Sequence, residues 1–539
     1  MNQWALLAEG EQSVSSLNLV SLLGIFILLG MAWLMSSHRT RVNWRLVVVG
    51  VLLQFLIAAV LFNSQTWTFP RHHPEVINLA TLKTLAQERT DVSKQIDSYV
   101  AATFLNVPQK FSTLKDLDAG VVAKTIDEGT VARQISENPL ILPRFANGVL
   151  FYGVENFFNA IRLYVEAGTS FVFGLNGLGP DDPKNPLLLL KNFAFGVIPT
   201  VIFFGSLMSV LYYVGVMRWV VEGMAWVMQR LMGTSGAESL AAAANVMIGQ
   251  TEAPLVIKPF VGNMTRSELN CLMVGGFATI SGSLMAIFAS LGISAGHLLT
   301  ASIISAPAAL VVAKLLQPET EQPLTLGNVQ MPRDDGAVNV IDAAAQGASD
   351  GMKLAINVIA MLIAFLALIA LLDSILYGLG ELAERGYNTL FASADPVDCN
   401  WSIKGIFAVL FYPLAWIMGI AQEDCYTSGE ILGTKMVVNE FVAYLDLSSV
   451  MSAMNTQGAA AEVTLSPRTQ VILTYALCGF SNFASIGIQI GGIGALAPER
   501  RGDLAQLGLR AMLGGMIACC LTACVAGVLY GIDITAAFR

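Results

Sequence analysis

The sequence predicts an all-α polytopic membrane protein, and three observations support that fold class. Of its 539 residues, 55% are hydrophobic and only 13% are charged, and the mean hydropathy is +0.62. Soluble proteins carry about 25% charged residues. The apolar residues form charge-poor runs that approach the roughly 20 residues a helix needs to cross a bilayer. Two of the later runs are interrupted by glycine and serine.

The apolar runs are spread along the whole chain. They cover residues 17–35, 46–62, 193–216, 271–291, 298–312, 354–372, 406–420, 471–490 and 512–532. A short run such as 298–312 fits a buried helix as well as a membrane span. The set as a whole excludes a soluble fold.

Basic residues between the runs predict the orientation. They are Arg39, Arg41 and Arg45 between the first two runs, and Arg500, Arg501 and Arg510 between the last two. Because cytoplasmic loops carry an excess of Lys and Arg, both loops are expected in the cytoplasm. The number of crossings is then even, and both termini are extracytoplasmic. The first run lacks the basic n-region of a cleaved signal peptide, so we expect it to remain as a span.

The composition divides the chain into three parts. Residues 1–62 are expected to form two transmembrane helices, 63–144 a polar extracytoplasmic insertion, and 145–539 the core. His72 and His73 in the insertion are expected to be loop residues rather than metal ligands. The stretches 147–173, 217–232 and 339–350 mix apolar residues with spaced charges, which predicts helices lying in the membrane interface.

Several functional classes find no support in the sequence. The net charge is −9 and there is no basic stripe, so nucleic-acid binding is not expected. The seven cysteines form no CxxC pair, which favours small buried side chains over a metal site. There is no HExxH or GxSxG motif. We therefore expect neither an enzyme nor a bound cofactor.

An internal repeat carries the functional prediction. The motif Gly-Gln-Thr-Glu-Ala-Pro-Leu at 249–255 precedes an apolar run with a Gly- and Ser-rich segment at 275–283. A second polar motif at 433–441 precedes a run with a similar segment at 478–487. Backbone leaves the helix inside a membrane only where it is buried or lines a cavity. Paired interrupted segments predict inverted repeats with a solute and cation site near the bilayer midplane.

Each polar motif contains a glutamate, Glu252 in the first and Glu440 in the second. A carboxylate in apolar sequence costs about 3 kcal/mol on insertion scales, so it is usually retained for a function. Alternatively, each glutamate caps a helix or pairs with a nearby base, Lys258 for the first and Lys435 for the second.

Two polar residues of the second interrupted run share a helix face. Asn482 and Ser485 are three residues apart, so both point to one side of a helix. An amide and a hydroxyl on one face suit the hydroxyls of a sugar. They suit an interhelical hydrogen bond equally well, and the spacing does not separate the two interpretations.

These motifs resemble the concentrative nucleoside transporter family of bacterial type. The resemblance is carried by residues 249–255, 279–283, 433–444 and 479–487, and also by 305–307, 318–321, 339–352 and 496–503. It covers most of the chain from about residue 171 onward and leaves out 63–144. The segment Ile-Ala-Gln-Glu-Asp-Cys at 420–425 departs from the family, which more often has Val-Pro-Trp before Glu-Asp.

The resemblance implies a homotrimer in the bacterial inner membrane, with a scaffold and a transport domain that moves like an elevator. It implies about eight transmembrane helices plus two re-entrant hairpins, near 237–262 and 422–447, with tips near Gln250 and Asn439. With eight crossings, some apolar runs must be hairpin arms, and 406–420 is the best candidate.

The resemblance also assigns site residues. On the substrate side, it implies that Gln250, Thr251 and Glu252 contact the nucleobase beside Leu284, and that Glu440, Asn482 and Ser485 contact the ribose beside Phe480. For the ion, it implies the side chains of Asn245 and Thr279 with the carbonyls of Ile248 and Ile280. Oxygen ligands favour sodium as the coupling ion. Proton coupling through Glu252 or Glu440, and another small polar solute as substrate, remain alternatives.

Overall fold

The computed structural model describes residues 16–66, 165, 193–250, 252–325, 337–391, 401–457 and 463–531. Within these ranges the regular elements are helices, as the all-α prediction requires. The predicted insertion at 63–144 lies outside the described residues, apart from 63–66. The amphipathic stretch 147–173 also lies outside them, apart from a single position.

The helices follow one another with short connections. In chain order they are α1 (Ser16–Leu34), α2 (Trp44–Thr66), α3 (Phe193–Val214), α4 (Val216–Met232), α5 (Gly236–Met247), α6 (Ala253–Val256), α7 (Lys258–Val261), α8 (Arg266–Ala278), α9 (Gly282–Ser290), α10 (Ala295–Leu316), α11 (Val340–Phe391), α12 (Ile403–Ile417), α13 (Cys425–Val437), α14 (Glu440–Gln457), α15 (Pro467–Leu477), α16 (Phe483–Leu496) and α17 (Arg501–Leu529). Short 3₁₀ turns precede α2, α13 and α17.

Among the described residues, α1, α2, α10 and α17 are long and apolar enough to cross a membrane, and α3 with α4 would add a fifth span if the bent pair counts as one. The helices α1 and α2 expose large apolar side chains such as Leu19, Phe26 and Leu52, whereas α10 and α17 are mostly buried inside the protein. Outer helices with apolar faces around buried apolar helices are typical of a protein in lipid.

A sharp bend separates α3 from α4. The two helices meet at 74°, at Gly215, whose φ of +88° is strained for residues with a Cβ. The predicted apolar run 193–216 is helical up to Val214, where α3 ends. The predicted amphipathic stretch 217–232 lies in the separate helix α4, which has an apolar and a polar face. Its exposed tryptophans, Trp219 and Trp226, suit a position at the membrane surface.

The prediction of a separate interfacial helix at 339–350 is wrong. These residues are the first turns of α11, a continuous helix that also contains the run 354–372. The cause is packing against α3, because Gly347 and Gly351 lie directly on the backbone of Gly205 and Val201. A Cβ on Gly347 would collide with the Gly205 carbonyl. Small residues here let two helix backbones approach closely.

Two helical units of similar order make up the centre of the protein. In the first unit, α5 leads to a tip at 248–252, then through α6 and α7 to α8, which breaks at 279–281 before α9. In the second unit, α13 leads to a tip at 438–439 and α14, then to α15, which breaks at 478–482 before α16. The predicted interruptions in the runs 271–291 and 471–490 are both present.

The expectation that residues 406–420 form a hairpin arm is wrong. Those residues form α12, which ends at Ile417, before the 3₁₀ turn Gln422–Asp424 that precedes α13. The helices that adjoin the tip at Asn439 are α13 and α14. The second of them runs ten residues beyond the predicted limit at 447, to Gln457.

A buried arginine joins the second unit to the first helix of the chain. Arg468, near the start of α15, donates to the Gly419 carbonyl at 2.9 Å, to Asn18 Oδ1 at 2.8 Å and to Ser21 Oγ at 2.9 Å. Asn18 in turn donates to the Val528 carbonyl near the end of α17. These bonds hold α1 and α17 against the base of the second unit.

Candidate substrate and ion site

The first tip is a tight turn that brings polar side chains beside the first helix break. Gly249 has a φ of +99°, and a Cβ there would lie 2.8 Å from the Cβ of Ser281. Glycine is therefore required by both the backbone conformation and the close approach. Gln250, the next residue, is buried, and Glu252 is exposed. Thr251 lies outside the described residues.

Paired helix caps fix the base of the first unit. Ser235 and Glu238 form a capping box at the start of α5, and Thr265 and Glu268 form one at the start of α8. Ser235 Oγ also donates to Glu268 Oε1 at 2.5 Å, so the two helix starts are joined. Lys314 on α10 pairs with Glu238 at 2.8 Å. The tip is thus held by a fully buried polar base.

The second tip places a buried carboxylate at the start of a helix. Asn439 Oδ1 accepts the backbone N–H of Val442 at 2.9 Å, which caps α14. Glu440 is the first residue of α14 and is only 5% exposed. A short cap therefore directs the carboxylate into the protein rather than towards solvent.

The start of α16 holds that carboxylate. Asn482 Oδ1 accepts the backbone N–H of Ser485 at 2.8 Å and caps the helix. Asn482 Nδ2 donates to Glu440 Oε2 at 3.0 Å. Asn482 thus ends the second break and also fixes Glu440. The orientation of its amide follows from its partners, because the oxygen must face the backbone N–H and the nitrogen must face the carboxylate.

The first tip reaches the same face of α16. Gln250 Nε2 donates to Ser485 Oγ at 3.1 Å, and Gln489 Nε2 donates to Gln250 Oε1 at 3.1 Å and to the Met273 carbonyl at 3.2 Å. With Glu440 and Asn482, these side chains form a continuous series of buried polar groups between the two tips. We call Gln250, Glu440, Asn482, Ser485 and Gln489 the bridging chain.

Gln489 is the member of the bridging chain that the sequence analysis missed. It lies four residues after Ser485 and seven after Asn482, so it continues the same helix face. It is only 1% exposed. The signal was present as a third polar residue at helical spacing, in a stretch otherwise made of apolar residues and glycine.

Two apolar candidates lie on the broken helices. Leu284 lies in the first turn of α9, where its N–H donates to Ser281 Oγ at 3.4 Å, and its side chain is buried. Phe480 lies inside the second break and is half-buried against the core. Leu284 thus lies at the start of the helix after the first break, and Asn482 and Ser485 lie at the start of the helix after the second break.

Neither glutamate forms an ion pair with the lysine that the sequence offered as its partner, within the part of the chain that the structure describes. In the described part of the chain, Lys258 makes no ion pair with Glu252, and Lys435 makes none with Glu440 within 4.0 Å. Glu440 bonds to Asn482, and Lys435 donates to the Ala476 carbonyl. The second glutamate is therefore held by a neutral amide, not by the neighbouring lysine.

The ion candidates meet at the first break. Asn245, on the last turns of α5, is 1% exposed, and neither polar atom of its side chain has a hydrogen-bond partner among the described residues. A Cβ on Gly275 would lie 3.2 Å from its Nδ2, so the amide faces the end of α8. Thr279 Oγ1 donates to the Gly275 carbonyl at 2.9 Å.

An unpaired buried amide is costly unless something binds it. Ile280 is buried within the break, and Ile248 caps the end of α5. Carbonyl, amide and hydroxyl oxygens form the donor set that a hard cation prefers. The residues at the first break therefore fit a small cation.

Comparison with known proteins identifies the family. Three family profiles match the chain. Residues 23–68 match "Na+ dependent nucleoside transporter N-terminus", residues 194–295 match "Nucleoside recognition", and residues 297–527 match "Na+ dependent nucleoside transporter C-terminus". An "Uncharacterized transporter" of Haemophilus influenzae is 42% identical over 377 residues, which are 69% of this chain and 84% of that protein. The chain belongs to the concentrative nucleoside transporter family.

Animal and solved relatives agree with that assignment. "Sodium/nucleoside cotransporter 1" of Rattus norvegicus is 42% identical over 376 residues, covering 68% of this chain and 54% of that protein. The chain thus spans about half the length of this animal relative. The structure described as CNTnw in an inward-facing substrate-bound state is 31% identical, with a TM-score of 0.69, covering 96% of this chain and 98% of that one. A substituted CNTnw in an outward-facing state gives a TM-score of 0.70 at 31% identity, covering 96% and 99% of the two chains.

Proposed function

We propose that this chain is a sodium-coupled symporter that imports nucleosides. The observation that carries the proposal is the bridging chain, in which both tips meet on the start of α16. A solute held there contacts both units at once, so its binding is sensitive to their relative position. The names and descriptions of the relatives, which refer to sodium and nucleosides, support the choice of ion and substrate.

The two ends of a nucleoside match the two ends of the bridging chain. Ribose offers hydroxyl donors, which suit the Glu440 carboxylate, and it also accepts bonds from Asn482 and Ser485. The base offers polar edges, which suit the amide of Gln250. We propose that Thr251, Glu252 and Leu284 complete the base end, and that Phe480 packs at the ribose end. A site built from buried polar groups rejects analogues that leave those groups unpaired.

The coupling ion is proposed to bind at the first break. The ligands are the side chains of Asn245 and Thr279 with the carbonyls of Ile248 and Ile280. Support comes from the Asn245 amide, which has no hydrogen-bond partner among the described residues and lies at the end of α5, the helix that leads to the tip with Gln250. Sodium at this place holds the end of α5 against α8 and so fixes the first tip for substrate. That shared contact is the proposed basis of coupling.

The two units are proposed to be re-entrant hairpins with broken helices, related as inverted repeats and moving as an elevator. The close backbone packing of α3 on α11 supports a separate scaffold made from those helices. We further propose a homotrimer in the lipid bilayer of a bacterial inner membrane, with eight crossings and extracytoplasmic termini. In this arrangement residues 1–62, 63–144 and 145–539 are scaffold helices, insertion and transporter core.

Uptake into proteoliposomes tests the function. Radiolabelled uridine and adenosine are supplied with an inward sodium gradient, an inward proton gradient or neither. We expect both nucleosides to accumulate above equilibrium with sodium alone. Accumulation driven by a proton gradient alone would show that protons, not sodium ions, are the coupling ion, and nucleosides would remain the substrate class. Folded protein that carries neither nucleoside under any gradient would refute the proposal and favour another small polar solute.

A further inference from the structure

A buried lysine lies beside the second tip and takes no part in the bridging chain. Lys435 is fully buried in the last turn of α13, and its Nζ donates to the Ala476 carbonyl at 2.7 Å. No carboxylate of the described residues lies within 4.0 Å of it. A lysine is almost never fully buried without a charged partner, because removing the ammonium group from water is costly. Its position therefore calls for a functional reason.

The lysine meets the negative end of a helix. Ala476 is in the last turn of α15, which ends at Leu477 where the second break begins. Carbonyls in a last turn have no amide from a following turn, and together they carry a charge of about −0.5 at the helix end. The direct partner of the ammonium group is therefore the backbone, and the Glu440 carboxylate interacts with it only from beyond 4.0 Å.

The helix caps allow the two breaks to be compared residue by residue. Ser281 accepts the N–H of Leu284 and starts α9, and Asn482 accepts the N–H of Ser485 and starts α16. Counting six residues back from each cap gives Gly275 in the first unit (281 − 6) and Ala476 in the second (482 − 6).

The same two positions are contacted from the preceding helix in both units. In the first unit the unpaired amide of Asn245, near the end of α5, lies against Gly275. In the second unit Lys435, near the end of α13, binds Ala476. Each broken helix thus presents its negative end to a polar side chain just before the tip. In the described residues, only the second unit supplies a positive charge there.

We propose that Lys435 is a tethered cation, which occupies in the second unit the place that the coupling sodium ion takes in the first. This inference rests on the proposed sodium coupling. A fixed ammonium group closes the second tip on its broken helix permanently, whereas the first tip closes only when an ion binds. The consequence is that one sodium ion, rather than two, is bound with each nucleoside.

Nucleoside binding as a function of sodium concentration tests the proposal on the full-length purified protein. Lys435→Asn places in the second unit the residue type that Asn245 provides in the first, so it removes the fixed charge and is expected to open a second ion site. We expect its sodium dependence to steepen from a Hill coefficient of about one towards two, since that coefficient is limited by the number of sites. Lys435→Met removes the charge without supplying an oxygen ligand, and we expect at least about tenfold weaker binding at every sodium concentration. Lys404→Asn, at an exposed ion pair, is the matched control.

The reciprocal variant tests the same idea from the other unit. Asn245→Lys places an ammonium group at the first break, and we expect nucleoside binding in choline buffer without sodium. Melting temperature and elution volume establish that each variant is folded. If either Lys435 variant fails to fold, the Asn245→Lys result decides.

The outcomes separate this inference from the proposed function. Wild-type protein without sodium-dependent nucleoside binding would refute the sodium coupling itself. The tethered cation is overturned if the wild-type protein responds to sodium but folded Lys435→Asn keeps its Hill coefficient and affinity, losing only thermal stability. It is also overturned if folded Asn245→Lys still requires sodium or binds no nucleoside at all.

Discussion

Replacing Glu440 by glutamine isolates the contribution of its charge. Glu440 Oε2 accepts one bond from Asn482 at 3.0 Å, and an amide oxygen in the same place still accepts that bond. The cap of α16 and the approach of the two tips are therefore preserved. What Glu440→Gln removes is a charged acceptor for the ribose hydroxyls.

The expected loss follows from the strengths of the bonds. A hydrogen bond to a charged group contributes about 1.5–3 kcal/mol, and a neutral one about 0.5–1.5 kcal/mol. The difference for two ribose hydroxyls is roughly 2–3 kcal/mol. Because 1.4 kcal/mol corresponds to a factor of ten, we expect nucleoside affinity to fall by roughly 30- to 150-fold.

Equilibrium binding of labelled uridine and uptake at low substrate concentration measure this loss. Glu430→Gln is the matched control, because Glu430 lies on α13 but outside the bridging chain. It is expected to retain wild-type affinity. Affinity of Glu440→Gln within about threefold of wild type, a change below 1 kcal/mol, would remove this carboxylate from the substrate site.

Two further variants test the support of the site and of the proposed scaffold. Gln489→Leu leaves Gln250 without the donor that orients its amide, so we expect about 5- to 30-fold weaker nucleoside binding, from a loss of about 1–2 kcal/mol; Gln506→Leu on the exposed surface is the control, and an unchanged affinity would contradict the role of Gln489. Gly347→Ala forces a methyl group onto the α3 backbone, and we expect a loss of at least about 1 kcal/mol and a lower melting temperature. Gly378→Ala on the same helix has open space around the new methyl group and is expected to be neutral or stabilising; equal melting temperatures for the two would contradict the packing argument.

The sequence was informative where local chemistry determines the structure. The breaks at 279–281 and 478–482 follow from glycine and serine within apolar runs, because these residues favour caps and turns over helix interiors. Asn482 and Ser485 were visible as polar residues at helical spacing. Their partners were not, since the bond from Gln250 to Ser485 joins residues 235 positions apart.

Other features depend on contacts that a single sequence does not display. The stretch 339–350 has the composition of an interfacial helix, yet packing of Gly347 against α3 makes it part of one long helix. Likewise Lys435 and Glu440 are close in sequence and of opposite charge, which favours an ion pair. In the structure they still interact electrostatically, but their charged atoms lie more than 4.0 Å apart, and each binds a group at the second break.

That separation has a physical cause in the polarity of a broken helix. At the second break the last carbonyls of α15 and the first amides of α16 have no partners within their own helices, so one short gap presents a negative end and a positive end. Lys435 binds the negative end through Ala476, and Glu440 is held at the positive end through Asn482. An ion pair between them would leave both helix ends uncompensated. The first break has the same two ends, but the side chain that α5 places there, Asn245, carries no charge and has no hydrogen-bond partner in the described part of the chain. A sodium ion bound beside Asn245 would compensate the negative end of α8, as the Lys435 ammonium group already compensates the negative end of α15. The two units then differ in whether the cation is free to leave.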